Sequence, residues 1–284
     1  MRQSRIGAAI ASAALVASVG GAAVTAEAAS TSSAAAGPVA VSISSTRMIT
    51  MPATVQPGVN EFVVTSAKPS GFQVMTLAEG YTKEEAEADV KKGLDGGKMS
   101  ALRRFEANST FIGGVASLPD KPTRFWVDLA PGDYVALDTR AKTDVDKWIS
   151  FTAVGEETGA AVPAAATIKA VRATKWSNKP KSISNKGILT FKNRASENHF
   201  VILAKMRKGA TLKQVKMFLQ TEEGRPPVDF RHTVDSAVID PGQTVSFEYK
   251  LPRGNYAMLC FWPDASMGGM PHAFMGMVRT IKLK

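Results

Sequence analysis

Apolar and polar residues alternate in short runs along much of this chain. The clearest run is Thr244 to Tyr249, where Val245, Phe247 and Tyr249 fall on one side and Ser246 and Glu248 on the other. That is the period-two pattern of a strand with one buried face. Phe62–Thr65, Phe125–Leu129 and Val278–Leu283 are β-branched or aromatic runs bounded by Gly, Pro and Asn, and they predict further strands. Helix signals are few. Thr82-Lys83-Glu84-Glu85 and Thr211-Leu212-Lys213-Gln214 each place a hydroxyl three residues before an acid or amide, the spacing of a capping box. Glu84, Glu85, Glu87 and Asp89 read as the solvated face of the first of these helices.

The pattern repeats. Pro119, Phe125, Leu129, Gly132, Tyr134 and Leu137 recur 122 residues later as Pro241, Phe247, Leu251, Gly254, Tyr256 and Leu259, which sets Asp138 opposite Cys260. Upstream, Gly58–Phe62 matches Gly187–Phe191, and Gly71–Met75 matches His199–Leu203, which sets Gly71 opposite His199. Each copy reads strand, strand, helix, loop, strand, tight turn, strand. The expected fold is mostly β: two tandem Greek-key β-sandwich domains, each with a short inserted helix. Gly155 to Thr167, rich in Gly and Ala with Pro163, marks the boundary, so the domains are expected over 39–155 and 169–284 with a linker over 156–168.

The first residues add a compartment. Arg2 and Arg5 precede an uncharged apolar run from Ile6 to Val24, closed by Ala26-Glu27-Ala28. This predicts a secretory signal peptide over 1–29, cleaved after Ala28 or Ala29, a flexible tether over 30–38, and a secreted product. The formal charge of +10 falls to +9 once Arg2, Arg5 and Glu27 leave. The Lys and Arg residues read as scattered, and the sign suggests an acidic partner, either a redox protein or an envelope protein. No basic stripe with interleaved aromatics points to nucleic acid.

Chemistry is confined to the second copy, which holds all three histidines, His199, His232 and His272, and the single cysteine, Cys260. A lone cysteine forms no intramolecular disulfide, so Cys260 is a structural thiol, a cross-linker or a metal ligand. From Gly254 the chain runs through Tyr256 to Cys260-Phe261-Trp262-Pro263-Asp264, then Met267, Met270, Pro271-His272, and Gly276-Met277 opening the last strand. Upstream, Phe191-Lys192-Asn193 precedes Asn198-His199-Phe200. These segments resemble the copper-binding segments of the cupredoxins, over roughly Ile183 to Lys284, with a fold-level echo in the first copy.

The resemblance implies two cupredoxin-like domains, the second binding one copper for electron transfer or copper handling. Carried over, it makes Cys260 the thiolate, His199 and His272 the imidazoles and Met277 the axial sulfur of a type 1 site. The eleven residues between Cys260 and His272 are more than is typical, so the loop must bulge before returning. His232 is an alternative imidazole. Met258, Met267, Met270, Met275 and Met277 offer a second reading, as soft ligands of a Cu(I) carrier. Three histidines are too few for a second class of copper, and no nucleophile signature flanks Cys260, so no enzyme is expected. The competing class is a metal-free pair of sandwiches acting as an extracellular interaction module.

Overall fold

The computed structural model describes residues 37–119, 121–141, 144–163 and 166–284. The expected signal peptide and most of the tether lie outside the described residues. Among the described residues no helix is long and apolar enough to cross a membrane.

Each half contributes seven principal strands. In the first they are β1 (Val39–Ile43), β2 (Gly58–Ser66), β3 (Ser70–Leu77), β4 (Ser109–Ser117), β5 (Thr123–Leu129), β6 (Gly132–Asp138) and β7 (Ile149–Ala153). In the second they are β8 (Ala166–Arg172), β9 (Lys186–Asn193), β10 (Ile202–Met206), β11 (Val228–Asp235), β12 (Thr244–Lys250), β13 (Gly254–Leu259) and β14 (Val278–Leu283). The strand Thr244–Lys250 alternates as its sequence predicts, with Val245, Phe247 and Tyr249 buried and Glu248 exposed. Both capping boxes form, Thr82 with Glu85 at the start of α1 (Lys83–Val90) and Thr211 with Gln214 at the start of α3 (Leu212–Thr221). Two expectations need correction: the first half carries a further helix, α2 (Met99–Asn108), which buries Ala101, Leu102 and Phe105 on one face, and Asp89, read as part of the solvated face of α1, is buried, where it accepts from Tyr81 and Arg104.

Two five-stranded sheets, β7-β6-β3-β4 and β14-β13-β10-β11, each completed by a two-residue edge strand, pack on a single eight-stranded sheet. That sheet runs through both halves, with β8-β9-β12 from the second continuing into β5-β2-β1 of the first. At the seam β12 pairs antiparallel with β5, Phe247 opposite Phe125 and Ser246 opposite Trp126. Phe247 and Phe125 are counterparts in the repeat. Phe125 is wholly buried, stacks on Phe62 at 4.8 Å between ring centroids and leans on Phe72 at 5.9 Å. Burial of one such ring is worth about 1.5–3 kcal/mol.

The recurrent tyrosines have a common role. Tyr134 donates its hydroxyl proton to the Ala130 carbonyl, and Tyr256 donates to that of Pro252, each at 2.7 Å. These are tyrosine corners that pin the turn before β6 and before β13. The segment between the halves is also anchored, since Thr158 Oγ1 donates to the Val59 carbonyl at 2.9 Å.

The halves meet a second time at residues 236–240. The Ala237 N–H donates to the Gly114 carbonyl at 3.0 Å, the Asp240 N–H to Phe111, and the Gln73 amide both donates to and accepts from Val238. Gly114 permits this approach. Its φ is +148°, and a Cβ there would press on Ala237 Cβ of the second half at 3.1 Å as well as on the Phe72 carbonyl oxygen of its own half at 1.9 Å.

Candidate metal centre

His199 lies just before β10 and is fixed by its neighbours on both sides. Its backbone exchanges two hydrogen bonds with Ile239, of 3.1 and 2.8 Å. Buried Asn193 donates to the carbonyls of Glu197 and Ile239 and accepts from the Ala195 N–H, which closes the turn leading into His199. Cys260 follows β13, whose pairing sets Leu259 opposite Ile202. His272 returns along the same end: its N–H donates to Trp262, and the next residue's N–H donates to the Cys260 carbonyl at 2.7 Å.

The eleven-residue excursion between Cys260 and His272 folds as a small hairpin. Pro263 pairs with Pro271 and Asp264 with Met270, and the Asp264 carboxylate accepts from the N–H groups of Ser266 and Met267 at its tip. Gly269, at φ +82°, turns the chain where a Cβ would stand 2.9 Å from Met99 Sδ. α2 of the first half covers the hairpin. Arg103 donates to the Ala265 carbonyl at 2.8 Å, and Glu106 accepts from Trp262 Nε1 at 2.7 Å. The Trp262 ring meets Phe111 edge-on at 5.4 Å.

Three side chains converge beneath this cover. Cys260 Sγ lies 3.6 Å from His199 Nδ1 and 3.7 Å from His272 Nδ1, and the two Nδ1 atoms are 3.0 Å apart. All three residues are fully buried. Met277 is buried in the same core cluster as Cys260, and its carbonyl accepts from Trp176 Nε1 at 3.0 Å. The Trp176 ring also lies against His199, at 6.5 Å between centroids. His232 is not brought in: it sits on β11, 44 % exposed in its side chain, 3.5 Å from Asp229. Of the other methionines, Met258 is core, whereas Met267 and Met270 are exposed on the hairpin. Among the described residues His199, Cys260 and His272 form the one group of three or more His, Cys, Asp or Glu donors.

Burial dominates the electrostatics. It pushes the His199 imidazole down to about 3, with His272 adding to the effect and the Arg172 carbonyl opposing it. It lowers His272 as well, against Asp264 and Glu197. It raises the Cys260 thiol to about 12, opposed by the backbone N–H groups of Phe200 and Trp262. Both imidazoles are therefore neutral and the thiol protonated at neutral pH.

The donors fit a metal ion. A point about 2 Å from all three atoms exists at the centre of their triangle, close to the roughly 2.0–2.3 Å bonds that imidazole nitrogen and thiolate sulfur make to zinc. The two Nδ1 atoms and the thiol sulfur turn their lone pairs toward one buried point, where a single cation would meet all three and no water or other polar side chain is needed. Two imidazoles and one thiolate, with buried Met277 joined to His272 by a 2.9 Å hydrogen bond from its N–H to the His272 carbonyl, fit the donor set of a type 1 copper site.

The register corrects one sequence alignment. β3 pairs with β6 so that Phe72 opposes Asp138, whereas β10 pairs with β13 so that Ile202 opposes Leu259. With Asp138 matched to Cys260, this makes Ser70, not Gly71, the counterpart of His199. Ser70 and His199 are both fully buried, and Gly71 takes the place of Phe200. The contribution of α2 to the cover of the site was not foreseen, since its sequence has no capping box to announce it.

No protein-family model matches the chain, and no curated protein does. Among solved structures it is similar to a dithionite-reduced auracyanin from Roseiflexus castenholzii, with 16 % identity over 42 % of this chain and 95 % of that one, TM-score 0.27. Auracyanin A, described as a blue copper protein of Chloroflexus aurantiacus, gives 12 % identity over 42 % and 98 %, TM-score 0.27. A copper-containing nitrite reductase from Thermus scotoductus is similar over 87 % of this chain and 61 % of that one, at 9 % identity and TM-score 0.22.

Proposed function

We propose that this is an exported cupredoxin-type protein that holds one copper ion in its second half and uses it for electron transfer. The observation that carries this reading is the convergence of His199 Nδ1, His272 Nδ1 and Cys260 Sγ in a buried site, with Met277 bonded through its N–H to the His272 carbonyl. Bound copper would supply a one-electron Cu(II)/Cu(I) couple. The chain's own residues do the rest. Asn193 and Ile239 fix one imidazole, the hairpin and α2 fix the other, and the surrounding core excludes water. A donor set so constrained from several sides resists rearrangement when the charge at its centre changes, which favours rapid electron exchange. The signal peptide expected over 1–29 supports placement outside the cytoplasm.

Copper(II) added to the folded protein is expected to give one equivalent of bound metal and an intense thiolate-to-copper absorption band, both lost in Cys260→Ser. Uptake at pH 7 should release about one proton, from the Cys260 thiol, because the depressed imidazoles have none to give. Folded protein that takes up no stoichiometric copper is the result that would sink the reading.

A further inference from the structure

We infer that the lysine-lined cleft beside Trp176 is the docking face for an acidic electron-transfer protein, an inference that rests on the copper reading of the site. The positive charge of this chain is not scattered. Residues 158–196 contain eight Lys and Arg and no Asp or Glu, and residues 265–284 contain three more basic residues and no acidic one. The remainder of the chain is close to neutral. The fold gathers this charge on one side, since β8, β9 and β14 and the connection 173–185 all belong to the same end of the second half.

A cleft of about 730 Å³ opens there, lined by Lys169, Lys179, Lys181 and Lys186 together with Ser177 and Tyr249, with no acidic residue in its lining. All four lysines are exposed. Arg279 braces the cleft from β14, its guanidinium donating to the carbonyls of Ser177 and Pro180. A concentration of one sign steers oppositely charged partners and raises their association rate.

The position of the cleft relative to the metal centre supplies the second argument. Ser177 in its wall is bonded to Trp176, whose ring lies against His199 and whose N–H is bonded to the Met277 carbonyl. A partner seated in the cleft therefore stands one residue from a side chain that touches the donor set. On the other side, His272 is fully buried under the 263–271 hairpin, and that hairpin is itself held by α2. His272 has no exposed neighbour among the cleft's lining, whereas Trp176, itself buried, is joined directly to Ser177 in the cleft wall. The cleft includes Ile183, Pro180 and Ala166 among its lysines, and its only aromatic residue, Tyr249, is buried. That mixture suits a carboxylate-studded protein surface better than a nucleic acid, which would require aromatic platforms for its bases.

The test uses the full-length, copper-loaded and reduced protein with succinylated cytochrome c as a carboxylate-rich electron acceptor. The acceptor should oxidise the parent faster than unmodified, basic cytochrome c does. Lys179→Glu/Lys181→Glu should slow that reaction about tenfold at low salt and flatten its salt dependence. Lys213→Glu/Lys216→Glu on α3 makes the same charge change elsewhere and should slow it less than about threefold. Equal slowing by both pairs, or a preference for unmodified cytochrome c, overturns the proposal.

Binding of the same acceptor to metal-free protein separates the two claims. Binding weakened only by the cleft pair, with no copper uptake in any variant, would retain the docking face and discard the copper reading. Binding that ignores the cleft pair discards the docking face. Cleft-dependent binding to phosphatidylglycerol vesicles that exceeds binding to the acceptor overturns the choice of a protein partner.

Discussion

Asp138 and Cys260 end equivalent strands in the two halves, and the same backbone holds both. The N–H groups of Gly71 and Arg140 donate to Asp138 Oδ1 at 2.8 and 3.0 Å, and those of their counterparts Phe200 and Trp262 act on the Cys260 sulfur. In the first half the charge so cradled is met by Arg47, whose guanidinium lies 2.5 Å from the Asp138 carboxylate. In the second it would be met by a metal. The fold thus offers two donors to an anionic side chain at this point, and the side chain decides between an ion pair and a ligand. Two further differences complete the contrast. Ser70 stands where His199 stands, its hydroxyl turned to the Lys68 carbonyl. Nine residues separate Asp138 from Trp148 at the head of β7, whereas seventeen separate Cys260 from Val278 at the corresponding place on β14.

The sharpest way to break this comparison is to exchange the residues. Cys260→Asp should abolish the copper band outright while circular dichroism remains that of a β protein. Ser70→His/Asp138→Cys should not create a second site, because the shorter connection carries no second imidazole. Metal analysis that finds two equivalents of copper in the latter variant would show that the longer loop is dispensable. A smaller effect tests the ion pair. Asp138→Ala leaves the Arg47 guanidinium and two N–H groups without their acceptor, and should cost about 3 kcal/mol in denaturant unfolding. Because one sheet and one core run through both halves, the loss should move a single transition.

The smallest effect tests the cover. Glu106→Ala strands the Trp262 N–H and should speed copper release about tenfold, with Glu106→Gln recovering most of the loss because it keeps an acceptor. Equal release rates for parent and Glu106→Ala would mean that α2 does not hold the loop.

Much of this was legible in the sequence. The repeat of Phe125, Gly132 and Tyr134 at Phe247, Gly254 and Tyr256 marks positions whose burial and corner hydrogen bonds any such sandwich needs. Cys260, His199 and His272 stand out because few residue types bind soft metals. The slip between Gly71 and Ser70 arose because matching Phe72 with Phe200 rewards residue identity. The strands obey parity instead, and Phe72 shares its buried face with Val201. The hold of α2 on the hairpin joins residues some 160 positions apart, and no local pattern encodes it. The basic face was visible in the chain but is easily missed when charge is summed over its whole length.

The seam at Phe125 and Phe247 has a wider meaning. A residue that pairs across an interface with its own counterpart is the mark of a twofold contact between identical subunits. This chain carries such a contact in covalent form. Fusion releases the two halves from having to stay alike: one can trade its ligands for an ion pair and lend a helix to its twin, while the contact that joins them cannot dissociate on dilution.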